Sequence, residues 1–133
     1  MQTFLPYPDF RMSAVVLDTK RLGKQRVEAA QLLRALDGVQ MGWRNHPAAK
    51  MWAGHTGALR HYLAVMISVW VSRGFQNNME IPEYPTAYSL PSWIGDASFH
   101  ASHRSNLLRK DPEWYGQWGW EEPPTLPYVW PTP

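Results

Sequence analysis

Glu28 is the only acid in the run Thr19-Lys20-Arg21-Leu22-Gly23-Lys24-Gln25-Arg26-Val27-Glu28-Ala29-Ala30-Gln31-Leu32-Leu33-Arg34-Ala35-Leu36, with Arg21, Lys24 and Gln25 one and two turns before it. A carboxylate in such a setting can accept a proton or stabilise a cation as it forms. The cations around it suit a second task, holding an anionic polymer against the same face. The plain alternative is an ordinary Lys24–Glu28 pair at i, i+4 on a solvated helix, contributing on the order of 0.3 kcal/mol.

The run itself predicts a helix. Leu22, Ala29, Leu33 and Leu36 recur on one face, and Lys20, Lys24, Glu28 and Gln31 on another, so one face packs and the other meets solvent or ligand. Asp18 or Thr19 caps its start and Asp37-Gly38 ends it. Before it, Asp9 caps a short helix reaching about Leu17, while Pro6 and Pro8 make residues 1–8 an extended arm lying on the body of the protein.

Gly42 to Asn45 reads as a connector, after which Asn45 or His46 caps a helix that has Pro47 in its first turn and breaks at Gly54. Thr56 to Ser72 carries Leu59, Leu63, Met66, Ile67 and Trp70 at helical spacing and is the core helix, closed by Arg73-Gly74. Residues 76–92 form a long loop broken by Pro82, Pro85 and Pro91. A third substantial helix runs from Asp96 or Ser98 to Lys110, where Asp111-Pro112 stops it, and the proline-rich end is an extended tail on the surface. No window alternates with a period of two. The expected fold is all-α, a compact single-domain bundle of about three main helices over residues 1–133, with Trp52 and Trp70 in the packing.

Composition narrows the chemistry. The chain has no cysteine, which removes disulfides, thiolate zinc sites and cysteine nucleophiles. Residues 1–8 lack the pattern of a signal peptide, and the apolar run Tyr62 to Val71 is too short to span a bilayer, so a cytoplasmic, soluble protein with no membrane partner is expected. Residues 1–73 hold ten Lys/Arg against four Asp/Glu, and residues 74–133 three against seven, yet Arg104, Arg109 and Lys110 fall in a stretch without acids. Two basic helical segments suggest a polyanion footprint. The aromatic run Trp114-Tyr115-Gly116-Gln117-Trp118-Gly119-Trp120 adds surfaces on which bases stack.

His100 and His103, at i, i+3, are adequate metal ligands with His46 or His55, which keeps a metal-dependent nuclease among the alternatives. No HExxH pattern occurs and no carboxylate lies between them, so no metal is assigned. Walker, GxGxxG and GxSxG patterns are absent as well. From the residues alone, a non-catalytic nucleic-acid-binding protein and an enzyme acting on nucleic acid both stand.

The pieces Arg21-Leu22, Arg26-Val27-Glu28-Ala29, Ala53-Gly54-His55, Ser72-Arg73-Gly74-Phe75, Asp96-Ala97-Ser98 and Asp111-Pro112-Glu113-Trp114-Tyr115 through Gly119 follow one another in an order that resembles the phage T4-type pyrimidine-dimer DNA glycosylase and abasic-site lyase family. That resemblance implies a compact helical enzyme that flips a nucleotide at the lesion and attacks the sugar C1′ with its N-terminal α-amine. It implies one glutamate in the chemistry, and Glu28 falls on its position. It also implies no cofactor and double-stranded DNA as partner; a monomer is expected. An α-amine suits the task because it loses its proton far more readily than a lysine. Gln2 is bulky, which keeps Met1 in place as the residue bearing that amine, and Lys24, one turn from Glu28, is the alternative.

A pyrimidine dimer is the substrate that the family implies, with a modified or otherwise damaged base beside it. The expected DNA contacts are Arg21, Lys24, Gln25, Arg26, Arg44, Arg104, Asn106, Arg109 and Lys110, with Trp114, Tyr115 and Trp118 as a wall and His46, His100 and His103 as further candidates on the same surface.

Overall fold

A computed structural model describes residues 1–38 and 45–131, and they are all-helical, with no strand among them. The helices are α1 (Phe10–Val16), α2 (Thr19–Leu36), α3 (Pro47–Trp52), α4 (Thr56–Ser72), α5 (Ala97–Lys110) and α6 (Pro112–Tyr115), the last followed by a 3₁₀ turn (Gly116–Trp118). Caps set most of the boundaries. Asp9, Asp18, Asp96 and Asp111 each accept a backbone N–H of the first turn, satisfying a donor that the helix leaves unpaired. His46 does the same for α3, where Pro47 stands at the first position. The Asp111-Pro112 pair, expected only to end α5, also opens α6, because proline without an N–H suits a first turn.

Helices α2 and α4 are the principal packed pair, and Gly23 lets them approach. A Cβ there would lie 3.0 Å from the Trp70 ring, so the cost of about 1 kcal/mol for glycine inside a helix is offset by close packing. The same ring stacks on Phe75 at 4.4 Å between centroids and carries the Arg26 guanidinium 4.2 Å from its centre. Arg73, just past α4, donates to the carbonyls of Val15 (3.0 Å) and Leu17 (2.7 Å), so the end of α4 satisfies the last carbonyls of α1. Tyr115 ties α6 to the start of α2: its hydroxyl donates to the Asp18 carboxylate and accepts the Asp18 N–H at 3.1 Å.

One apolar cluster, with Trp52, Tyr62, Phe99, Leu22, Leu59 and Met66 at its centre, joins the helices. The N-terminal arm belongs to it. Gln2 to Pro6 are buried, so the arm threads through the core and does not lie on the surface as its prolines suggested. A buried extended segment must find partners for its own N–H and C=O groups, and those partners build the site.

Candidate active site

Four helices supply side chains that meet the arm, three of them at its backbone. Gln25 of α2, 1 % exposed, accepts the Phe4 N–H at 3.0 Å with Oε1 and donates from Nε2 to the Gln2 carbonyl at 2.9 Å. The Tyr62 hydroxyl of α4 reaches Phe4 O (2.9 Å) and Gln25 Oε1 (2.5 Å). The Trp52 indole of α3 donates to Thr3 Oγ1 at 3.0 Å. From α5, His103 Nδ1 accepts the Leu5 N–H at 2.9 Å, while His100 Nδ1 donates to the Leu5 carbonyl at 2.7 Å. Arg104 donates to the Pro6 carbonyl at 2.7 Å.

These contacts bring the start of the chain to Glu28. The Gln2 N–H donates to Glu28 Oε2 at 3.2 Å, and Gln25 Nε2 lies 3.5 Å from the same oxygen. Met1, Gln2, Phe4, Gln25 and Glu28 then share one cavity of about 310 Å³ with Lys20, Arg21, Lys24, Lys110 and Tyr128. Four cations thus surround one carboxylate, which favours an anionic ligand. Arg21 is partly committed, since its guanidinium pairs with Asp18 at 3.1 Å. The ordinary Lys24–Glu28 pair does not form: no ion pair joins these two, and Glu28 is bonded to the arm.

The site has a further titratable neighbour. His46 Nδ1 accepts from Ala48 N–H at 3.0 Å, and its ring meets Trp130 edge-on at 6.0 Å between centroids. Its pKa is lowered by burial first and then by the N-terminal ammonium, with Glu28 acting in the opposite direction. The terminal amine, Glu28 and His46 therefore share one electrostatic neighbourhood. Burial pushes the Tyr128 hydroxyl up to about 12, so the cavity presents it as a neutral donor.

The expected site residues divide accordingly. Met1, Glu28, Lys24, Arg21, Gln25 and Lys110 meet in the cavity, whereas Arg109, exposed on the last turn of α5, lines a different pocket with Trp120 and Glu122. Arg26 points to the Trp70 side, donating to Asn77 Oδ1 at 2.9 Å. Arg44 lies outside the described residues. Several of the expected contacts, Gln25 included although it lines the cavity, have almost no surface to offer. Gln25, His100, His103, Asn106 and Tyr115 are all buried, the histidines on the arm, Tyr115 on Asp18, and Asn106 donating to the carbonyls of Ser102 (2.7 Å) and Leu126 (3.0 Å). Polar side chains on a helix read as surface until a second segment is found to need their hydrogen bonds.

Arg104 is half-buried between Pro6 and Glu122. Trp114 and Trp118 keep half-exposed rings, meeting edge-on at 6.5 Å, with the Trp114 indole donating to Val16 O at 2.8 Å. Sequence reasoning left Gln2, Phe4, Tyr62 and Tyr128 out of the site. For Gln25 the signal of burial was available, because it stands three residues after Leu22 and four before Ala29 on the apolar stripe. Tyr128, in a proline-rich tail, carried none.

Among the described residues no helix is long and apolar enough to cross a membrane, and no group of three or more His, Asp or Glu is placed to hold a metal ion. No curated protein and no solved structure matches the chain. A family described as pyrimidine dimer DNA glycosylase matches residues 1–83, which take in the arm, α1 to α4 and Glu28 but stop short of the similar pieces at 96–119. The chain belongs to the pyrimidine dimer DNA glycosylase family.

Proposed function

We propose that this protein is a DNA glycosylase with abasic-site lyase activity, acting on a damaged pyrimidine, a pyrimidine dimer first, through a Schiff base on the Met1 α-amine. The observation that carries this is the bond from the Gln2 N–H to Glu28 Oε2 at 3.2 Å, which ties the acid to the residue next to the amine inside a cationic cavity. The unprotonated amine gives its lone pair to C1′, the bond from C1′ to the base breaks, and the departing base takes up a proton. Opening of the C1′–O4′ bond, with a proton delivered to O4′, leaves an iminium. Loss of a C2′ proton then expels the 3′ phosphate, and water hydrolyses the imine to free the amine. Glu28 stabilises the iminium and relays these protons. Lys20, Lys24 and Lys110 hold phosphates, and Lys24, exposed in the same cavity, is the alternative amine.

The test is borohydride trapping on duplex DNA carrying an abasic site, with glycosyl-bond cleavage at a duplex carrying one pyrimidine dimer, read as strand scission because the freed base stays tethered to its neighbour through the dimer. Digestion of the adduct should place the DNA on residue 1; DNA on the Lys24 peptide would move the nucleophile there. Glu28→Gln keeps the volume of the side chain and removes its charge. Single-turnover glycosyl-bond cleavage should slow by about 10²-fold or more, roughly 2.7 kcal/mol of transition-state stabilisation, with DNA affinity kept or raised. Near-normal turnover in a folded Glu28→Gln protein would sink the mechanism.

A further inference from the structure

Gln25 is the most fully engaged polar side chain of the site, and at 1 % exposed it offers DNA almost no surface. Its carboxamide spends both ends on the arm: Oε1 takes the Phe4 N–H and the Tyr62 hydroxyl, and Nε2 gives to the Gln2 carbonyl and lies near Glu28 Oε2. The orientation of the amide is fixed by chemistry, since a backbone N–H and a hydroxyl converge on one end and a carbonyl oxygen faces the other. Alternate residues of an extended chain are thereby read by one side chain. A slip of the arm by one residue would turn its N–H and C=O groups to the opposite side and leave both ends of the carboxamide without partners.

We propose that Gln25 is a positioning residue that sets the register of the N-terminal arm and so holds the terminal amine beside Glu28. This rests on the amine chemistry proposed above and assigns the group that aligns it. Tyr62 completes the device. Its hydroxyl is fully buried, and burial together with the Glu28 charge holds its pKa well above the usual range, so it stays a donor. The Phe4 carbonyl and Gln25 Oε1 share its single proton, at 2.9 and 2.5 Å.

Gln25→Glu is the sharpest variant. It keeps the oxygen that Phe4 and Tyr62 address, and it replaces the donor facing the Gln2 carbonyl and Glu28 with a second acceptor. Tyr62→Phe is the milder one, removing a single hydroxyl and leaving the ring in the core. A third variant adds one glycine ahead of Met1, which moves the amine by about 3.5 Å along the chain.

The measurement is the single-turnover rate of borohydride trapping at saturating abasic-site DNA, with DNA affinity and melting recorded for each protein. Gln25→Glu and the glycine extension should each slow trapping about 100-fold, and Tyr62→Phe about 5- to 10-fold, with DNA affinity within about twofold of wild type. The discriminating arm is the combination of Gln25→Glu with the extension. Where Gln25 sets the register, the extension costs little once Gln25 is changed, and the double variant stays near 100-fold; independent effects would multiply towards 10⁴-fold.

Multiplying effects, or trapping by either point variant at the wild-type rate, overturn the assignment while leaving the amine chemistry standing. If Gln25→Glu does not fold, Tyr62→Phe decides alone, and a folded Tyr62→Phe protein trapping at the wild-type rate overturns it. A wild-type protein that forms no adduct overturns the amine reading itself, and the positioning role falls with it.

Discussion

The chain begins and ends with segments of the same local character, extended, broken by prolines and rich in aromatic residues, yet they meet opposite fates. The arm is buried from Gln2 to Pro6, whereas residues 121–131 are half-exposed or exposed along their whole length. The difference lies in the surfaces that receive them. The arm runs past Gln25, Tyr62, His100, His103 and Arg104, which between them answer N–H and C=O groups from Gln2 to Pro6. The tail meets a shorter row on α5: Ser102, Ser105 and Asn106 take Val129 N–H, Leu126 N–H and the carbonyls of Pro123 and Leu126. An extended segment outside a sheet is buried only as far as its neighbours carry polar side chains in register with its backbone.

The largest test of that comparison is a pair of truncations. Leu5 is fully buried and Val129 is 37 % exposed. Leu5→Ala should cost about 2–5 kcal/mol through lost burial and an unfilled cavity, whereas Val129→Ala should stay within about 0.5 kcal/mol. Denaturant midpoints at constant m-value decide it. Equal losses would mean that the tail is as much part of the core as the arm.

Acid supplies the second test, because two of the arm's partners are histidines. Burial, and then the neighbouring His100, lower the His103 pKa to about 3, and burial lowers that of His100 as well. A group whose folded pKa lies below its unfolded value of about 6.5 favours the fold in its neutral form. The stability is complete above that pH and is lost as the pH falls towards about 3 for His103. From pH 7 to pH 5 the protein should lose about 2 kcal/mol through His103 alone. The depressed carboxylates Asp18 and Glu122 act only below about pH 4.5 and do not confuse that window. His103→Asn, which can still accept the Leu5 N–H, should flatten the profile between pH 7 and 5; an unchanged slope would remove His103 as its source.

Much of the frame was legible because its signals are local. Asp9, Asp18, Asp37-Gly38, Pro47 and Gly74 delimit α1 to α4 by rules that need only neighbouring residues. Glu28 stood out for the same reason, as one acid within a basic helix. What escaped was decided by contacts distant in sequence. His103 and Leu5 are 98 residues apart, and Asp18 and Tyr115 97, so nothing local tells a histidine or tyrosine that serves a remote backbone from one that faces DNA. Burial of the arm follows from the same cause, since its partners lie on four different helices.

The smallest expected effect falls where the two segments touch a common residue. Arg104 binds the Pro6 carbonyl with one guanidinium nitrogen and the Glu122 carboxylate with two others, at 2.8 and 3.1 Å. Its bonds to Glu122 hold that carboxylate below its ordinary pKa. Both side chains of the pair are 20 % exposed, so water screens the attraction and Glu122→Gln should cost only about 0.5–1 kcal/mol. Arg104→Met should cost more, about 1–3 kcal/mol, because it also leaves the buried Pro6 carbonyl without its donor. Denaturant unfolding of the two single variants and the double variant separates the contributions. If the arm contact dominates, the double variant is no less stable than Arg104→Met. If Glu122→Gln alone costs as much as Arg104→Met, the guanidinium serves the tail, and the contrast between the segments is weaker than their burial suggests.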